Sequence, residues 1–129
     1  MKNILTCILT TTAIFSFGQS NTNDTNTKST AIENKIYDLV FALPEVKDRA
    51  DYIERQSNGT RHLRTWIYQT PKETQGKYYW VKVGEENGMN FVSHFNFYVY
   101  QENFEIKYFD TENDTIISLD TWRKQIKSF

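Results

Sequence analysis

Apolar residues recur in two rhythms along the chain. From Ile32 the spacing is helical: Ile32, Ile36, Leu39, Val40 and Leu43 stand at i, i+4, i+7, i+8 and i+11 and share one face. Thr30-Ala-Ile-Glu33 has the spacing of a capping box, so a helix is expected to open at Thr30. Pro44 interrupts it, because proline disfavours the helical conformation of Leu43, yet it suits the first position of a new helix. A second helix over residues 44–57 turns Val46, Ala50 and Ile53 inward. It leaves Glu45, Lys47, Asp48, Glu54 and Arg55 to solvent, and Asn58-Gly59 closes it.

After Gly59 the rhythm becomes alternation. Residues 61–69, 77–84, 90–100 and 104–110 are rich in Tyr, Phe, Trp, Val and Ile, types that suit a pleated and half-buried surface. The breaks are turn chemistry, Gly84-Glu-Glu-Asn-Gly88 and Gln101-Glu-Asn103, and connections this short force antiparallel neighbours. After a loop at 111–114, residues 116–119 lead into a short terminal helix or turn with Leu119, Trp122 and Ile126 inward. The expected fold is therefore α+β: two N-terminal helices on one face of a four-stranded antiparallel meander, followed by a short C-terminal helix or turn.

Parity along each strand divides the rings into two sets. Tyr79, Val81 and Val83, then Phe91, Ser93, Phe95, Phe97 and Val99, then Phe104, Ile106 and Tyr108 are expected beneath the helices. The other set is His62, Arg64, Trp66, Tyr68, Tyr78, Trp80, Lys82, His94, Asn96, Tyr98, Tyr100, Glu105, Lys107 and Phe109. An uncovered sheet face is ordinarily polar, and this one carries several large rings. Contiguous exposed aromatic surface marks a partner or ligand site. Cross-strand pairing with Lys and Arg stems lying over the rings gives the same composition with no ligand at all. On the first reading the candidate binding residues are Arg64, Trp66, Tyr78, Trp80, His94, Tyr98, Tyr100 and Lys107.

Composition narrows the function classes. Lys2, the apolar run 4–17 and Ser16-Phe-Gly18 have the form of an export signal cleaved before Gln19, so residues 1–18 are expected to be a leader and the rest periplasmic or extracellular. Residues 19–29 are polar and Asn/Thr-rich, a flexible tether before one domain at 30–129. The leader run is too short and Thr-rich to span a bilayer, and no later run is apolar enough. Cys7, the single cysteine, leaves with the leader, which removes disulfides, thiolate metal sites and a Cys nucleophile from consideration. A formal net charge of −1 gives no electrostatic case for nucleic acid or an anionic membrane.

Catalytic and metal constellations find little support. Ser93 and His94 are adjacent on a strand and point to opposite faces, so they are no nucleophile–base pair. A metal would need His62 and His94, on strands roughly 10 Å apart with Glu105 the nearby carboxylate, and no metal is expected. Asp110-Thr-Glu-Asn-Asp114 lacks the glycine and terminal glutamate of a calcium loop, and Glu85-Glu86 reads as a solvated hairpin tip. No catalytic residue and no cofactor are assigned.

The leader ending in Phe-Gly-Gln, the Asn/Thr tether and the Lys/Asn/Ile-rich composition resemble small secreted α+β proteins of flavobacterial, Bacteroidetes type. The run YYWVKV…FNFYVY…FEIKYFDTENDTIISLD is similar to PepSY-like domains, whose strands end on a D-x-x-T-G-type turn, although the glycine is missing from Asp110-Thr-Glu-Asn-Asp-Thr115. Helices before a meander are similar to cystatin-like and NTF2-like folds too, but the cystatin Q-x-V-x-G loop is absent. The PepSY-like resemblance implies a non-catalytic module that holds a protein partner, an enzyme kept in check. The NTF2-like resemblance implies instead a small enzyme using His94 and a carboxylate in a pocket, and a structural envelope protein is the third class.

Overall fold

A computed structural model describes residues 23–86 and 89–127. The expected leader at 1–18 lies outside the described residues, as do the first residues of the expected tether. The elements in chain order are α1 (Asn23–Phe41), α2 (Pro44–Gln56), β1 (Leu63–Gln69), β2 (Tyr78–Glu86), β3 (Phe91–Tyr100), β4 (Ile106–Asp110), β5 (Thr115–Ser118) and α3 (Leu119–Ile126). The fold is α+β. Its sheet is an antiparallel meander with spatial order β1-β2-β3-β4-β5.

α1 runs through Thr30 instead of opening there, since no Pro or Gly stands between Asn23 and Thr30 to stop it. α2 starts on Pro44, with Leu43 extended at its N-cap, and ends where Asn58 and Gly59 take left-handed φ values of 50° and 76°. Gly59 N–H then donates to the Glu54 carbonyl at 2.8 Å. The apolar stripes of both helices meet one face of the sheet. Ile36, Val40, Val46 and Ile53 join Leu63, Tyr79, Val81, Val83, Phe97 and Val99 in a single buried cluster.

The sheet has five strands, not the four expected. Asp110 makes the fifth possible by folding the turn after it: its Oδ1 accepts the N–H groups of Glu112 and Asn113 at 3.0 and 3.2 Å. Asp114 completes the reversal with φ 50°, and β5 returns along β4 with Tyr108 opposite Ile117 and Phe109 opposite Ile116. The terminal segment is a helix. Ser118 caps it through Oγ, which accepts from Thr121 N–H at 3.1 Å, and Trp122 anchors it on the same face as α1 and α2. Trp122 stacks on Tyr108 at 4.5 Å and meets Phe95 and Phe97 edge-on. The Arg123 guanidinium donates from Nε to Glu45 Oε1 at 2.5 Å and from Nη2 to Oε2 at 3.2 Å, tying α3 to α2.

A β-bulge in β3 overturns part of the expected division of faces. Val83 lies opposite Phe95, but Gly84 lies opposite Ser93, so His94 is an extra residue with no partner in β2. Parity flips at that point. Phe91 and Ser93, expected in the core, sit on the outer face, and Phe91 meets Trp66 there at 4.0 Å. His94, expected on the outer face, reaches Glu85 instead, and Glu85 shares the helix-side parity of Val81 and Val83. No helix among the described residues is long and apolar enough to cross a membrane.

Candidate functional site

The three helices of the described residues pack on one face, so among these residues the other face of the meander is closed only by its own side chains. Tyr68 meets Trp80 edge-on at 4.8 Å, and Trp80 meets Phe109 at 5.3 Å and Tyr98 at 5.8 Å. Tyr98 is stacked between Tyr78 at 4.0 Å and Phe109 at 4.8 Å, and Tyr78 meets Tyr100 at 5.7 Å. Six rings thus form a ladder across β1 to β4, with Trp66 and Phe91 beside it as a separate pair. Offset and edge-on geometries of this kind each add about 0.5–1.5 kcal/mol beyond area burial.

The ladder is uneven in exposure. Tyr98 is 6% exposed because rings cover it on both sides, and this burial, with the Tyr78 hydroxyl beside it, pushes its phenol pKa up. Trp66 is 38% and Tyr68 47% exposed, so the accessible rings stand on β1. Cations lie among them. The Lys82 ammonium sits 3.6 Å over Tyr68 and 5.0 Å from the Trp80 centroid, and Lys107 lies 5.1 Å from Tyr100. Arg64 reaches Glu86 at 3.6 Å in a largely solvated pair, and Lys107 reaches Glu105 at 3.8 Å in a partly covered one. Trp80 Nε1–H donates to Asn96 Oδ1 at 3.2 Å, which fixes the indole plane.

At one end of this face is a cleft of about 450 Å³, lined by Gln69, Glu73, Thr74, Gln75, Lys77, Tyr78, Tyr100 and Ile116. The 70–77 loop makes its wall. Glu73 accepts from Thr70 N–H at 2.6 Å and from its hydroxyl at 3.0 Å, bonds that hold its carboxyl below the usual range. Gln75 and Gly76 take left-handed φ values of 61° and 77°, and Thr74 is bonded to Tyr78 through its Oγ1, so the wall is braced against β2.

Of the expected binding residues, Arg64, Trp66, Tyr78, Trp80, Tyr98, Tyr100 and Lys107 share the outer face, and His94 does not. Its Nε2 lies 2.6 Å from Glu85 Oε1, and the other carboxylate oxygen receives the Arg61 Nε–H at 2.7 Å and an Nη2–H. Burial works to raise the Glu85 pKa, but the bonds from His94 and Arg61 outweigh it and hold the carboxyl ionised and below the ordinary value. With Glu85 ionised, Nε2 of His94 carries the proton and donates. Three segments that meet at the bulged end of the sheet are joined by one buried carboxylate. His94 and Glu85 line neither the 450 Å³ cleft nor the clefts of about 360 and 260 Å³ beside Tyr79 and Arg123. Among the described residues no group of three or more His, Cys, Asp or Glu is placed to hold a metal ion.

Sequence reasoning missed two parts of the site. Simple alternation puts Phe91 in the core, although Gly84 inside a strand pattern is a signal for a bulge. The wall at 70–77 carries no hydrophobic periodicity, and only Thr70-Pro71 and Gly76 mark it as a turn. No protein-family model matches the chain, and no curated protein or solved structure matches it.

Proposed function

We propose that this chain is a secreted, non-catalytic binding module that engages a protein or peptide partner through the outer aromatic face of its sheet. One observation carries the reading: every described helix lies on the opposite face, while the ladder with its exposed member Tyr68, and the exposed Trp66 beside it, are left without cover among the described residues. Aromatic rings supply large, rigid contact area at small entropic cost, and such residues dominate interface energetics. The cleft beside Tyr78 and Tyr100 adds a concave end to this surface. The export signal in the sequence places the partner in the periplasm or outside the cell. The PepSY-like resemblance is the ground for reading it as an enzyme held in check, and this step is analogy.

The test replaces the rings that can be lost without emptying the ladder. Trp66→Ser with Tyr68→Ser should reduce partner capture from the native envelope by tenfold or more, with the thermal midpoint held within a few degrees. Unchanged capture by a folded double variant ends the reading. Trp80 and Tyr98 are poorer choices, because Tyr98 is 6% exposed and both are held by neighbouring rings.

A second reading, a structural role for the ladder, is favoured by the way the rings satisfy one another. The two separate in the same experiment, since a structural ladder loses stability and not capture. The enzyme reading stands third. Its carboxylate would be Glu85, whose two oxygens are already taken by Arg61 and His94.

A further inference from the structure

The outer face has a cation near its centre to which no described residue supplies an acid. Lys82 projects from the middle of β2, half-buried, with its ammonium resting on Tyr68 and beside Trp80. Arg61, Arg64, Lys107 and Arg123 each reach a carboxylate, whereas no described carboxylate lies within ion-pair distance of Lys82. Rings hold the ammonium electrostatically but do not neutralise it. They also strip part of its water, so an incoming anion meets a cation already partly desolvated, and the charge-assisted bond is correspondingly stronger. Its nearest strand neighbours across the sheet, Trp66 and Asn96, carry no charge.

We infer that the partner presents an acidic loop to this face, with an Asp or Glu carboxylate seated on the Lys82 ammonium between Tyr68 and Trp80. The inference rests on the reading of the outer face as a binding surface and names the chemistry that face selects. Charge complementarity decides in favour of an anionic occupant: Arg64 stands on the neighbouring strand β1 and Lys107 two strands away on β4, and their own acids, Glu86 and Glu105, are more than half exposed and free to turn away. Such an arrangement steers association and rejects partners with cations at that position.

The experiment uses the full chain without its leader, labelled with ¹⁵N, and two cyclic probe peptides that differ only in a central Glu or Gln flanked by Tyr and Gly. Titration of the Glu peptide should move the Trp66 and Trp80 indole signals saturably, and the Gln peptide should bind about tenfold more weakly. Lys82→Gln should abolish the difference between the two probes, and Lys82→Arg should restore it. Equal binding of both peptides, or a Glu preference that survives Lys82→Gln, overturns the inference while leaving the aromatic face as a binding surface. Absence of any saturable shift with either probe overturns it as well. Loss of capture in the Trp66/Tyr68 double variant is the separate measure of the broader reading.

Discussion

Gly84 has no room for a side chain. A methyl group built on it would run into the Val92 carbonyl and come within 2.7 Å of Phe91 Cζ, because the bulge opposite brings β3 unusually close. Neither backbone nor a ring already packed on Trp66 can yield cheaply. Gly84→Ala is expected to cost roughly 2–4 kcal/mol in urea unfolding, with a normal denaturant slope. A neutral result would mean that the bulge relaxes and that His94 can leave Glu85. Phe104 makes the opposite compromise. It holds φ at 56°, where glycine is usual, and keeps its ring beneath the Lys35 ammonium at 3.8 Å, partly buried against the core.

At the scale of elements, α3 is short and depends on one side chain. Its eight residues could not hold a helix alone, and its docking comes from Trp122 with the Glu45–Arg123 clasp at its flank. Trp122→Ala should cost about 3–5 kcal/mol and release α3, read as loss of amide-exchange protection at 119–126 before the rest of the sheet opens. Uniform loss of protection would show instead that α3 belongs to the main cooperative unit. Much of this level was legible in sequence. The 3.6-residue spacing from Ile32, Pro44 at a helix start, and the alternation in β1 to β4 all led to elements that exist. What escaped were features set by contact rather than pattern. β5 needed the Asp110 side chain to fold its turn, and its short apolar pair, Ile116-Ile117, has no decisive period. Parity read faithfully from Phe95 to Val99 and failed upstream of His94, because one unpaired residue exchanges the faces of everything before it.

For the whole molecule, acid is the informative variable. Arg123 hydrogen bonds lower the Glu45 pKa against the opposing effect of burial; burial would raise that of Glu85, but His94 and Arg61 bring it down. Both fall from an ordinary 4.5, so both carboxylates bind protons more weakly folded than unfolded. Their contribution to stability is therefore complete above pH 4.5 and is lost as pH drops through the lower folded values. The thermal midpoint should fall on acidification below that point, and Glu85→Gln should start lower at neutral pH and fall less steeply. Parallel pH curves for the two proteins would show that Glu85 is not the group being titrated. At the candidate site, acid should weaken an acidic partner's grip by neutralising the partner's carboxylates.

The distribution of indoles gives the protein a built-in optical gauge. Trp66 and Trp80 lie on the open side, and Trp122 is sealed beneath the helices. Replacing Trp122 with Phe would confine the emission spectrum to the uncovered side, with several tyrosines close enough to feed it by energy transfer. Arrival of any occupant would then be visible as a change of colour and polarisation without attaching a dye.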